Sequence, residues 1–310
     1  MVIRSHIIAS CALMVLLSAC SSGDPLGDSE SERSDEAQLE ERYGALSVEY
    51  VYPRMGADEG LRIKAQFLDI RGVAIESALE ALEVWKPRRA LKMGECLITG
   101  GESARGSGKE VGSLHLLDVG DIGVSSPRDK VLLEPRRLPD LLSSFYGVVY
   151  SSEWGDEGVQ RDIDYYPGVT YGFQARGTSQ AGSFSFSLIA PEPMVLLAAD
   201  GVELRDRATI TTGVDDPLEL VWNSDGGDTT AEVFIDLTTG FGPDQTRVQC
   251  RADDQGAFAV PADLLRHLRD LEDGLDLELR RVHRDRISVD GLDEVDVFFA
   301  TSDRVELLFE

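Results

Sequence analysis

The run Leu61-Arg62-Ile63-Lys64-Ala65-Gln66-Phe67 alternates apolar and polar side chains at every residue. That period suits a strand with one face in a core and the other in water. Shorter runs of the same period recur along most of the chain. They predict strands at residues 46–52, 95–99, 113–119, 131–133, 144–150, 170–176, 183–189 and 194–198, then at 218–222, 231–237, 246–251, 257–260, 275–282, 294–299 and 304–309. Many short strands spaced by about 8–12 residues point to β-sandwich architecture. Two segments read as short helices. Residues 74–84 place Ile75, Leu79 and Leu82 on one side. Residues 261–271 have Pro261 in the first turn, Asp263 against the helix dipole and a stripe of Leu264, Leu268 and Leu271. The expected fold is mainly β, with one or two sandwich domains and one or two short helices.

A faint internal echo bears on the number of domains. Gly182-Ser183-Phe184 precedes Ala190-Pro191 much as Gly256-Ala257-Phe258 precedes Val260-Pro261. A duplication gives two sandwiches in tandem, 45–190 and 191–310, with the boundary near 191–200. Without one, the strands build a single elaborated sandwich. Leu218-Glu219-Leu220-Val221-Trp222, a glycine-rich turn and Ala231-Glu232-Val233-Phe234-Ile235 resemble the paired strands of fibronectin type III and immunoglobulin-like domains. That resemblance implies an Ig-like sandwich in the C-terminal part.

The first residues speak to location. Arg4 precedes an apolar run over residues 7–17, which ends in Leu17-Ser18-Ala19-Cys20. The run has the length of a signal-peptide core and falls short of the about 20 residues that span a bilayer. Leu-Ser-Ala-Cys resembles the lipobox of bacterial lipoproteins, which implies that residues 1–19 are a signal peptide and that Cys20 carries the lipid. The resemblance further implies a cell-envelope protein anchored through acyl chains. Ser21 stands where some lipoproteins carry an inner-membrane retention aspartate, so the outer membrane is favoured. Residues 20–44 read as a disordered acidic tether: Asp24, Asp28, Glu30, Glu32, Asp35, Glu36, Glu40 and Glu41 face only Arg33 and Arg42. As a whole the chain resembles acidic β-rich lipoproteins of myxobacteria and other GC-rich Gram-negative bacteria, a resemblance that implies no activity.

Loss of Arg4 with the signal takes the 30 basic and 56 acidic residues to 29 − 56 = −27. Such a surface repels nucleic acid and anionic lipid, so acyl chains rather than basic residues must hold it at a membrane. With Cys11 removed and Cys20 acylated, Cys96 and Cys250 remain. In an oxidising compartment they are disulfide candidates, with two separate buried thiols as the other reading.

The strongest local anomaly lies at 145–173. It contains Phe145, Tyr146, Tyr150, Trp154, Tyr165, Tyr166, Tyr171 and Phe173, interleaved with Glu153, Asp156, Glu157, Asp162 and Asp164. Aromatic faces against sugar C–H groups, with carboxylates accepting hydroxyl hydrogen bonds, suit glycan recognition. Trp154, Tyr165, Tyr166, Glu153 and Asp156 are therefore the candidate ligand-binding residues. The competing reading places Tyr150, Tyr171 and Phe173 in a sandwich core, with Trp154 and Tyr165 packing a long loop. His115, His267 and His283 lack metal-ligand spacing, and Glu110 after Lys109 departs from a phosphate-binding loop. The cationic run Arg280-Arg281-Val282-His283-Arg284 reads either as an anion site or as neutralising nearby carboxylates. These features predict a non-catalytic binding or scaffolding lipoprotein with a glycan or envelope protein as partner, and no cofactor or metal. The alternative is a glycoside-type envelope hydrolase using carboxylates of the 153–164 loop.

Overall fold

Two long strands, β18 (Gly274–Ile287) and β19 (Glu294–Phe309), pair antiparallel and run through the middle of the protein. The computed structural model describes residues 40–54, 60–72, 91–100, 113–138, 145–152, 163–205, 207–225, 231–240, 245–272 and 274–309. An eleven-stranded sheet extends from both edges of this hairpin. Beyond β18 lie β15 (Glu232–Thr239), β16 (Thr246–Asp253) and β3 (Cys96–Gly100). Beyond β19 lie β1 (Glu40–Val51), β2 (Gly60–Arg71), β4 (Ser113–Leu116), β8 (Phe145–Ser151) and β7 (Arg136–Arg137). β13 (Thr209–Thr212) pairs parallel with the last residues of β19.

Two four-stranded sheets pack on the large one. The first is ordered β10 (Phe184–Ile189), β9 (Thr170–Ala175), β5 (Ile122–Ser125), β6 (Lys130–Leu133). The second is ordered β12 (Val202–Glu203), β11 (Leu196–Ala199), β14 (Leu218–Trp222), β17 (Ala257–Val260). Val124, Tyr171 and Phe173 meet Ile63, Phe67 and Phe299 in one core. In the other, Leu218, Leu220 and Trp222 meet Ile235, Val248 and Leu277, and helix α1 (Ala262–Arg269) adds Leu265 and Leu268. The fold is thus mainly β and of sandwich type, with two cores on a shared sheet.

β19 serves both cores from one face. Val295, Val297 and Phe299 enter the first, Val305 and Leu307 the second. The strand period of two puts Thr301 and Asp303 on that same face, between the two apolar groups. They meet residues 191–196, where the chain passes from one core to the other. Residues 191–194 have no ladder to satisfy their backbone, and buried N–H and C=O groups need partners. Side chains supply them. Thr301 Oγ1 accepts from the Met194 amide at 3.0 Å and donates to the Glu192 carbonyl at 3.1 Å. The Asp303 carboxylate accepts from the Leu196 amide at 2.7 Å and from Arg54 Nε and Nη2 at 2.5 Å each. Arg54 donates in turn to the Leu196 carbonyl. Arg281, opposite Thr301 in the register, donates to the carbonyls of Glu192 and Pro193 and pairs with Asp254 at 2.7 Å.

Several expectations change in this light. Residues 294–299 and 304–309 belong to one strand, because the Ala300–Asp303 stretch between them is the buried polar belt just described. β14 and β15 do not pair with each other; they lie in opposing sheets and face one another across the second core. The echoed segments are β10 and β17, each the edge strand of a small sheet, and each followed by the proline that takes the chain away. The change of core at residues 190–194 falls at the tandem boundary, yet residues 38–310 form one compact unit because β1 pairs with β19 across it. β1 begins at Glu40, so residues 40–44 belong to the sheet and not to the tether. Arg42 is partnered across the ladder, opposite Asp69 and 3.4 Å from it. Cys20, the tether up to residue 39 and the helix expected at 74–84 lie outside the described residues.

Asp303→Ala leaves Arg54 buried without its carboxylate, which costs about 3–5 kcal/mol. Because β19 belongs to both cores, urea unfolding followed by tryptophan fluorescence and by circular dichroism is expected to shift as one coincident transition. Two separated transitions would contradict the shared-strand account.

Candidate functional site

The chain from Ile163 to Val169 leads into β9 along the rim of the first core. Consecutive side chains part there: Ile163 is buried in the core, while Asp164 is exposed. Tyr165 turns inward. Its ring stacks on Tyr50 with centroids 4.0 Å apart and 8° between planes, meets the Phe299 ring edge-on at 6.2 Å, and its hydroxyl donates to the Pro191 carbonyl. Burial pushes that hydroxyl's pKa up, and the Glu192 charge adds to the effect. Tyr171, fully buried, donates from its hydroxyl to the Asp164 carbonyl at 2.6 Å and accepts from the Tyr166 amide at 3.0 Å. These bonds fix the backbone of the rim from below.

Tyr166 turns the other way and is half-exposed. Its hydroxyl donates to Asp164 Oδ2 at 3.0 Å, and the Arg128 guanidinium lies 4.5 Å from its ring centroid. Arg128 comes from the β5–β6 turn, where Ser126 Oγ accepts from the amides of Arg128 and Asp129 at 3.2 and 3.0 Å. The rim therefore presents an aromatic ring, a carboxylate and a guanidinium together. A cation over a tyrosine face contributes about 0.5–1 kcal/mol when exposed. The carboxylate accepts hydroxyl hydrogen bonds and the guanidinium donates them, which is the equipment for a polyhydroxylated ligand.

Of the residues singled out from sequence, Tyr165 is packed against the core and Tyr166 stands at the surface. Trp154, Glu153 and Asp156 lie outside the described residues, as do the other loop carboxylates apart from Asp164. Arg128 went unforeseen, since it sits in a short Ser126-Pro127-Arg128-Asp129 turn far from the aromatic segment in sequence. Cys96 and Cys250 face each other in the β3–β16 register and are disulfide-bonded across 154 residues of chain. A closed loop of that length stabilises by roughly 4–5 kcal/mol in the chain-entropy account.

The basic run 280–284 is taken up by carboxylates. Arg284 lies 2.7 Å from Asp296, and Arg281 holds Asp254. Arg280 reaches Glu49 at 3.1 Å, Asp236 at 2.5 Å and Glu278 at 2.6 Å. Burial alone would raise the Asp236 pKa, but the guanidinium groups of Arg247 and Arg280 and the bond from Gln249 outweigh it and hold the carboxyl at about 2. Glu49 and Asp254 are shifted the same way: burial is the largest single effect, and it is outweighed by Arg280, Ser302 and Arg304 together at Glu49, and by Arg281, Trp222 and the Asp225 amide together at Asp254. The sequence matches no family model and no curated protein.

Two measurements test this description. A carboxyl held at about 2, against an ordinary 3.8, favours the fold above pH 4 and loses that contribution as the pH falls through 2. Asp236→Asn is expected to lower stability at pH 7 by about 2 kcal/mol and to flatten the loss between pH 4 and 2 in denaturant titrations. For the tyrosines, Tyr165→Ala should cost about 3 kcal/mol, as deletion of a packed ring does. Tyr166→Ala should stay within about 0.5 kcal/mol. Equal losses would mean that both rings pack alike.

Proposed function

We propose that this chain is a lipid-anchored protein of the cell envelope, with Cys20 as the anchor, and that its globular part binds a glycan or an envelope protein rather than catalysing a reaction. The observation that carries the reading is where the Tyr166 rim stands relative to β1. Glu40, at the junction with the expected tether, opens β1, and Tyr50, which stacks under Tyr165, lies near its far end. Ten residues of strand put these two points about 33 Å apart. A tether entering at Glu40 thus joins β1 at the end remote from the rim.

Glycan binding through the rim draws on ring stacking against Tyr166, with the Asp164 carboxylate and the Arg128 guanidinium beside it.

Two experiments test the proposal. Cells fed labelled palmitate should incorporate it into the protein, and Cys20→Ser should abolish the label and block processing. Label retained in the variant would overturn the anchor. On a panel of envelope polysaccharides, Tyr166→Ala should weaken binding about fivefold, equivalent to about 1 kcal/mol, with the melting temperature unchanged. Binding that is indifferent to Tyr166 would remove the rim from consideration.

A further inference from the structure

We infer that β1 and β19 form a shear clamp that lets this fold carry tension between its N-terminal attachment and a partner held at the far end. The inference rests on the anchor reading above and adds a mechanical role to it. β1 and β19 run parallel and adjacent, with Tyr43 opposite Glu294 and Val51 opposite Ser302 in an unbroken register. The contact continues one residue further, where the Tyr52 amide donates to the Ser302 carbonyl at 2.7 Å.

Neither strand lies at an edge. β1 is held on its other side by β2 from Glu40 to Val51. β19 is held by β18 from Val295 to Leu308, and on its β1 side the pairing is taken over from Glu306 to Phe309 by β13. A chain end joined to an edge strand peels away one hydrogen bond at a time. Here the first strand of the sheet enters its interior, flanked on both sides.

Direction of force decides the rest. The β1 end nearest the N-terminus and the β19 end nearest the C-terminus lie at opposite ends of the ladder. Pulling them apart slides the strands along each other, so the hydrogen bonds, which lie across the strands, are strained together. The rim at Tyr165–Tyr166 sits near the Val51–Ser302 end of the β1–β19 ladder, through Tyr50. Tension between an anchor ahead of Glu40 and a ligand on the rim therefore runs along β1 as well. Side chains strengthen the ladder: Tyr43 donates from its hydroxyl to Asp296 at 2.8 Å, and Ser302 donates to Glu49 at 3.2 Å.

The same chain supplies its own control. Glu40 and Arg71 are direct partners at one end of the β1–β2 ladder, so pulling between them loads a single pair at a time. The full-length chain is stretched by optical tweezers through handles at its two termini, and separately through handles at the N-terminus and at Arg71. The rupture force at matched pulling rate is expected to be at least about twofold higher between the termini, because forced unfolding follows the barrier along the pulling direction. Equal forces, or a lower force between the termini, would overturn the clamp. The palmitate experiment stands apart from this one: loss of the lipid assignment leaves the force ratio untouched, and a ratio near one leaves the lipid assignment untouched.

Discussion

Where β19 passes from one core to the other, Asp303 must hold Arg54, and both must hold the backbone of the crossing chain. Every other large feature depends on that junction. Without the pair, the amide and carbonyl of Leu196 lose buried partners, and the route from the first core to the second has nothing to replace them. Thr301 and Arg281 do the same for Met194, Glu192 and Pro193. A continuous apolar stripe along β19 would bury more hydrocarbon, but it would leave this crossing unsatisfied. An unmade buried hydrogen bond costs about 1–3 kcal/mol, comparable to what burying one aliphatic side chain contributes. The polar belt is therefore the condition under which two cores can share one strand.

The other face of the same sheet solves a different problem. Glu49, Asp236, Glu278, Arg280, Ser302 and Arg304 come from β1, β15, β18 and β19 and bond one another across the strands. A chain with net charge −26 repels itself when compact. Placing arginines between strands, Arg280 against three carboxylates and Arg304 against Glu278, turns part of that repulsion into cross-strand attraction. Guanidinium suits this use better than ammonium, since its planar fork bonds several acceptors at once. The scarcity of lysine among the basic residues thus has a structural counterpart in the sheet.

Period-two runs made the β class and most strand positions legible, because a half-buried strand writes itself as alternation. What they hid follows from the same rule. Ala300-Thr301-Ser302-Asp303 has turn composition, and only its tertiary partners reveal it as strand. β14 and β15 are both inward-facing, so alternation could not say whether they pair or oppose each other. The short strands β7, β12 and β13 have two to four residues and too little period to detect. The first residues of β1 looked like tether because Arg42 finds its partner only across the ladder. The Tyr165–Tyr166 pair was visible as an anomaly, and of the two readings open for Tyr165, ligand contact or packing, the structure shows packing.

For the proposed glycan reading, that division of labour between the two rings has a consequence. Tyr165 is stacked on Tyr50, wedged against Phe299 and tied to Pro191, so the peptide it shares with Tyr166 is fixed by the core. Tyr171 fixes the peptides on both sides of Tyr165, through the Asp164 carbonyl and the Tyr166 amide. A surface ring on a mobile loop loses conformational freedom when it binds, at about 0.5–1.5 kcal/mol for each side chain immobilised. Tyr166 has already given up part of that freedom, through its hydroxyl bond to Asp164 and the guanidinium of Arg128 against its face. An aromatic contact contributes only about 1 kcal/mol beyond its buried area, so a ring ordered in advance is what makes so small a site worth having. Were a glycan to bind the rim as proposed, the packing residue would serve the binding surface without any ligand atom touching it.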